Sequence, residues 1–142
     1  MKKKGFTLVE TVLAIALVGF FIYEGSVSFK QLVPKFQLQT GLWEIQSSLN
    51  QARFKAAWRG RRYRVRFEGQ RCVLEAHDEG SGAWRLDRLA RLEGVEVTAN
   101  NSPTFYPEGT VSDLATINVS NSRGAYKITV AISGRIKTVK VG

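Results

Sequence analysis

From Phe6 to Tyr23 the chain runs eighteen residues that are mostly Leu, Val, Ile, Ala and Phe, with Glu10 as the single charge. That length sits at the lower end of the roughly 17–25 residues that carry a helix across a bilayer. Lys2, Lys3 and Lys4 precede the run, and Glu24-Gly25-Ser26 closes it. Cations before an apolar segment hold that end in the cytoplasm. Tyr23 then falls at the far interface, and the rest of the chain is expected outside the cytoplasm. A secretory signal would show small residues of A-x-A type after its apolar run. None follows here. A Gly5–Phe6 junction lies before the run instead, which suggests that the basic tag is removed and the apolar helix kept.

Glu10 needs a reason. A carboxylate at bilayer depth costs on the order of 2.5–3.5 kcal/mol on insertion scales, so it is read as functional by default. A partner cation would offset that cost.

The stretch KKKGFTLVETVLAIALVG resembles the N-terminus of type IV pilins and of the pseudopilins of type II secretion. The resemblance rests on Gly5 before the junction, Phe6 after it, Glu10 four residues on, and Gly19 further into the run. It implies cleavage between Gly5 and Phe6 by a prepilin peptidase and N-methylation of Phe6. It also gives Glu10 an assembly role, pairing with the methylated amine of a neighbouring subunit. The implied partners are other pilin subunits, the peptidase, an inner-membrane assembly platform and the membrane itself. The implied location is a single-pass protein of the bacterial inner membrane that moves into a pilus or pseudopilus.

At 142 residues there is room for one domain beyond the anchor. The net charge is +9; taking away Lys2, Lys3 and Lys4 leaves 18 basic against 12 acidic side chains, a net +6. That balance suits a polyanionic partner, although net charge alone is a weak argument about binding. The lone Cys72 has no partner for an intramolecular disulfide and reads as a small buried hydrophobe in a strand.

Past the membrane segment a helix is expected to continue. Leu38, Leu42, Ile45, Leu49, Ala52 and Ala56 recur at alternating spacings of four and three, one stripe of an amphipathic helix. Pro34 and Gly41 predict a kink or local unwinding, and Gly60 a stop. From Arg61 the period becomes two. Tyr63, Val65 and Phe67 alternate with Arg62, Arg64 and Arg66, and Glu68-Gly69-Gln70 turns the chain into Cys72–Ala76. Further strands are expected around Trp84–Leu86, Val95–Val97, Phe105-Tyr106, Ile117–Val119 and Tyr126–Ile132. Ser133-Gly134 reads as a two-residue turn into a last strand, Arg135–Val141, with a bulge suggested by Ile136 and Val139. The expected fold is α+β: a leader (1–5), a long helix (6–60) spanning the membrane in its first half, and an antiparallel β domain (61–142).

Three segments in this half are similar to the GspH/FimT group of minor pilins and pseudopilins. They are Ala52–Arg61, the turn Phe105-Tyr106-Pro107-Glu108-Gly109, and Ser133-Gly134-Arg135-Ile136-Lys137. Members that assist natural transformation bind DNA through a C-terminal Gly-Arg-x-Arg element. Gly134-Arg135-Ile136-Lys137 matches it with Lys in place of the second Arg, keeping charge but losing bidentate geometry. Arg135, Lys137 and Lys140, with Arg62 and Arg64 on the first strand, are therefore the candidate DNA-contacting residues. The competing reading for Arg62, Arg64 and Arg66 is a solvated sheet face, or pairing with Glu75, Asp78 and Glu79. Trp43, Trp58 and Trp84 read as core or interface anchors.

Nothing points to catalysis, a metal or a cofactor. His77 is the only histidine, no Ser is placed with a base, and no Gly loop cradles a phosphate. The resemblance implies a minor pilin of a type IV pilus, with DNA contact during natural transformation. The alternatives are a GspH-like pseudopilin of a type II secretion system and a tethered binding module that never polymerises.

Overall fold

A computed structural model describes Gly5 and residues 7–141. Its contacts divide the chain into two units, Met1–Val33 and Pro34–Gly142.

One helix, α1 (Leu8–Arg59), supplies all of the first unit's regular structure and the opening of the second. Thr7 caps it: its hydroxyl accepts the Glu10 amide at 3.3 Å, satisfying one of the orphan donors of the first turn. Leu8–Ser26 is long and apolar enough to cross a membrane, with a mean hydropathy of 1.8 and no part of it buried in the protein.

In the second unit the stripe from Leu38 to Ala56 is buried throughout, and Ile45, Leu49, Ala52 and Ala56 are fully inaccessible. Burying each Leu or Ile of that stripe is worth roughly 1.5–3 kcal/mol, which fixes the rotation of the helix. No unwinding occurs at either suspected breaker, since the helix is continuous through Pro34 and Gly41. Gly41 has a packing reason: a Cβ there would come within 3.0 Å of Val95 Cγ2. The position is small so that the β domain can approach the helix. At Pro34 the carbonyl accepts the Asn121 side-chain amide at 2.7 Å, tying the start of this unit to the sheet.

The β domain has two antiparallel sheets. One is ordered β3-β2-β1-β5-β6, from β1 (Tyr63–Glu68), β2 (Arg71–His77), β3 (Trp84–Arg91), β5 (Thr104–Phe105) and β6 (Val111–Ser112). The other is ordered β4-β7-β8-β9, from β4 (Glu96–Ala99), β7 (Ala115–Asn121), β8 (Gly124–Val130) and β9 (Ile136–Val141). Inner-face residues of both sheets, among them Tyr63, Val65, Leu74, Phe105, Ile117 and Ile128, join the helix stripe in one core. Leu92 and Val95, between β3 and β4, complete it. The Val111 amide donates to the Ile132 carbonyl at 2.9 Å and helps stitch the two sheets together.

Three local expectations are corrected. Strand β6 was not foreseen; it is two residues long and exists because Thr104 and Phe105 pair with Ser112 and Val111. The β8–β9 connection is not a two-residue turn: Val130 pairs with Ile136, so residues 131–135 form the loop. Pairing along β9 is uninterrupted, and the register shift falls instead on β2, between Leu74 and Glu75.

Candidate functional site

Glu10 lies in the first turn of α1, exposed, three residues after the Thr7 cap. Thr7-Leu8-Val9-Glu10 is a T-x-x-E capping pattern, and a carboxylate in the first turn also suits the positive end of the helix dipole. Glu10 thus has a local use besides any partner cation. Gly5 is exposed, while Phe6 and Lys2–Lys4 lie outside the described residues. The cleavage and methylation expected at Gly5–Phe6 are therefore not visible in the fold.

The candidate DNA contacts fall into two groups on different sheets. Arg62 immediately precedes β1 and Arg64 is within it, in the five-stranded sheet; Lys137 and Lys140 belong to β9, and Arg135 to the loop before it.

Alternation on β1 holds as expected, with Tyr63 and Val65 in the core and Arg62, Arg64 and Arg66 on the other face. Antiparallel register sets Arg64 opposite Glu75. Arg64 donates from Nε at 2.9 Å and Nη2 at 2.6 Å to Glu75 Oε2, and its guanidinium lies 4.2 Å from the centroid of the Trp84 ring. Arg66 reaches Glu75 Oε1 at 3.2 Å and Glu68 at 3.0 Å. Much of this cationic face is therefore neutralised by Glu75, the competing reading of the sequence. Arg62 differs: its Nη2 sits 3.1 and 3.2 Å from the two ring nitrogens of His77, and no described carboxylate pairs with it. Next to this face, Asp78 organises the β2–β3 turn. Its carboxyl is held below its ordinary range by the Ser81 hydroxyl first and then the Gly80 amide.

On β9, core-facing Ile128 pairs with Thr138 and core-facing Val130 with Ile136. By parity Lys140 shares that inner face, while Lys137 lies on the outer one with Thr129 and Lys127. Lys127 was not singled out from the sequence, although the alternation of Tyr126, Ile128 and Val130 already sets it on the outward face.

The three similar segments converge. Gly134 is buried with φ 73, and a Cβ on it would meet the Gly109 carbonyl oxygen at 2.9 Å and Arg53 Nε at 3.2 Å. The basic end of the helix, the Tyr106–Gly109 turn and the Gly134-Arg135 turn thus form one junction. Gly109 closes its own turn by donating to the Tyr106 carbonyl at 3.0 Å. Arg53 joins Arg135 at this junction, a second exposed cation that sequence spacing could not have brought there.

A family model described as "Type II transport protein GspH" matches residues 44–134, from the middle of the buried helix stripe to the junction glycine. The chain belongs to the GspH family. Its fold resembles crystal structures of minor subunits from two kinds of filament system. The type IV minor pilin FimU of Pseudomonas aeruginosa is 18% identical with a TM-score of 0.59, over 72% of this chain and 88% of that one. The minor pseudopilin EpsH from the type II secretion system of Vibrio cholerae is 13% identical with a TM-score of 0.63, over 78% and 97%. A second EpsH structure gives 14% and 0.59, over 71% and 94%. No curated protein matches the sequence. As a GspH-family chain it is a pilin-like subunit, an α+β protein with one apolar N-terminal segment. Arg135, Lys137 and Lys140 lie beyond the matched residues, as does Glu10.

The two remaining tryptophans are not core anchors. Trp43 is 62% and Trp58 78% exposed, and Trp58 stacks on Phe54 with centroids 6.1 Å apart. Trp84 alone is packed, between Arg64 and the edge of His77.

Proposed function

We propose that this chain is a minor pilin subunit, cleaved between Gly5 and Phe6, N-methylated on Phe6 and assembled into a type IV pilus through its apolar helix. The observation that carries this reading is an exposed membrane-length segment, Leu8–Ser26, with Glu10 in the first turn of the same helix, on a GspH-family chain. Helix length and family together favour a subunit stored in the inner membrane and drawn into a filament. Glu10 then offsets its burial cost by pairing with the new N-terminal amine of a neighbour.

Substituting Glu10 by Gln tests this. Gln keeps a side chain competent for the capping pattern and removes the charge. The variant should accumulate in the membrane at normal levels yet be lost from sheared filaments. Undiminished incorporation would refute the assembly role.

A second reading, a pseudopilin of a type II secretion system, is favoured by the family description and the likeness to EpsH. Deleting the gene separates the two. Retention of secreted enzymes in the periplasm supports the secretion reading, and loss of pili with intact secretion supports the pilus.

For DNA contact during natural transformation, the exposed Arg135 with Lys137, Arg53 and Lys127 offers the better footing, because Glu75 already occupies Arg64. Such contacts would be made to phosphates without sequence preference. Full-length protein in detergent should shift a DNA duplex in a gel. Neutralising Arg135 and Lys137 should lower affinity and flatten its salt dependence by about one phosphate contact per residue. Equal binding by the neutralised protein would remove this site.

A further inference from the structure

The outer face of the five-stranded sheet carries a pocket. It measures about 320 Å3 and is lined by Arg62, Asn101, Thr104, Tyr106, Ser112 and Asp113, together with Trp84 and Arg64. That is the lower end for small-molecule sites, the size of one ring rather than a chain of them. We propose that this pocket binds an acidic sugar, a ligand with one carboxylate and several hydroxyls. The proposal is independent of which filament the subunit joins.

Register builds the floor. Thr104 pairs with Arg64 on one side and Ser112 on the other, so these three share the outward face. The wall is fixed in advance: Asn101 Nδ2 donates to the Leu114 carbonyl at 3.0 Å, and Asn100 Oδ1 accepts the Thr116 amide at 2.7 Å. Asn101 Oδ1 is left with no partner among the described residues.

Two groups have bonding capacity to offer a ligand. Thr104 is only 7% exposed; its hydroxyl oxygen is the part that still reaches solvent, and it has no hydrogen-bond partner among the described residues. A hydroxyl that opens onto a pocket can donate to and accept from a ligand there. Arg62 is half-buried and uses only Nη2, toward His77. A guanidinium has five donors in a planar fork, so an edge suited to a carboxylate stays open.

The charge balance chooses the ligand class. Glu75 pairs with Arg64, which leaves Arg62 and Asp113 as the other two charges of the lining. A near-neutral pocket gives a polyanion little to hold. A single carboxylate on Arg62 suits it, with ligand hydroxyls donating to Asp113, which can only accept. Thr104, Ser112 and Asn101 supply further neutral partners, and Tyr106 adds an aromatic side chain of the kind that borders such sites. Asp113 itself sits at φ 57, in the left-handed region that Asp tolerates better than most residues.

The test is calorimetric titration of the full-length protein in detergent micelles with glucuronate, with glucose, and with a short single-stranded oligonucleotide. Glucuronate should bind, and glucose about tenfold more weakly for want of the carboxylate. Arg62→Met, which keeps the apolar stem, should weaken glucuronate by about tenfold or more, and the near-isosteric Thr104→Val by several-fold. A melting curve on each variant checks the fold. If Arg62→Met unfolds, Thr104→Val decides alone. No binding of glucuronate, equal binding of glucose, or unchanged affinity in a folded Thr104→Val protein would overturn the proposal. So would Arg62-dependent binding of the oligonucleotide with none of the sugar, which would make the pocket a nucleic-acid site.

Discussion

Arg53 lies across Gly134: a Cβ on that glycine would stand 3.2 Å from Arg53 Nε and 2.9 Å from the Gly109 carbonyl oxygen. The side chain could swing away, but the carbonyl belongs to a closed turn and cannot. The φ of 73 at Gly134 adds strain for any L side chain. Gly134→Ala should therefore destabilise the β domain by about 2–3 kcal/mol, strain and clash together. Gly60→Ala is the control, since Gly60 has φ 62 and open space around it; strain alone should cost it about 1 kcal/mol. Urea midpoints of the two variants decide. Equal losses would mean that the junction yields freely.

Glu75 is 8% exposed and stands between two guanidiniums, Arg64 and Arg66. Removing the central charge of such a group leaves its partners facing each other without compensation. Glu75→Gln should cost about 2–3 kcal/mol, discounted from a fully buried pair because both arginines keep some solvent. Replacing Arg64 by Met in the same protein should recover part of that loss. A double variant as unstable as the sum of its single changes would show that the three charges do not act as a unit.

How far the sequence reaches can be judged from particular residues. The helix stripe from Leu38 to Ala56 was legible because its period is local and strong, and all six residues are buried. Gly41 was misread because its partner, Val95, is distant in sequence: a glycine that breaks an isolated helix can serve a packed one. The division of the β domain into two sheets was not legible, because alternation reveals a strand but not its neighbour. Strand β6 carries two residues, too few for any periodicity, and is defined by its partners. The opposite faces of Lys137 and Lys140 were legible in principle, since three steps along a strand reverse the side. The meeting of Arg53, Gly109 and Gly134 was not, because only tertiary packing brings the end of a helix and two separate turns together. Similarly, the hairpin turn at Glu68–Gln70 made the opposition of Arg64 and Glu75 accessible, but not that Arg62 meets His77 and no carboxylate among the described residues.

Gly41 gives the next test. A Cβ there already meets Val95 Cγ2 at 3.0 Å, so a longer side chain has nowhere to go. Gly41→Leu should destabilise by about 1–3 kcal/mol through overpacking, despite the better helix propensity of Leu. Pairing Gly41→Ala with Val95→Ala should relieve the contact and cost less than Val95→Ala alone, since Ala stabilises a helix interior by about 1 kcal/mol over Gly. If Gly41→Leu melts at the wild-type temperature, the close approach of helix and β domain is not required for stability.

The thiol of Cys72 is inaccessible in the core, and burial pushes it up from its ordinary 9.0 to about 11; a hydrogen bond from Ser48 opposes this more weakly. Because the folded value is the higher one, the unfolded chain loses its proton first as pH rises. The thiol's contribution to stability is intact below about pH 9 and falls away between about 9 and 11. Two units correspond to about 2–3 kcal/mol at most. Other groups titrate over the same range, so the measurement must be a difference: urea stability of the wild type and of Cys72→Ala at neutral pH and again near pH 10.5. The wild type's advantage should shrink by about 1–2 kcal/mol at the higher pH. Alkylation of the folded protein by iodoacetamide should also be slow at neutral pH, because the thiolate is both scarce and shielded. A pH-independent gap between the two proteins, or rapid labelling of the native chain, would mean that Cys72 meets solvent.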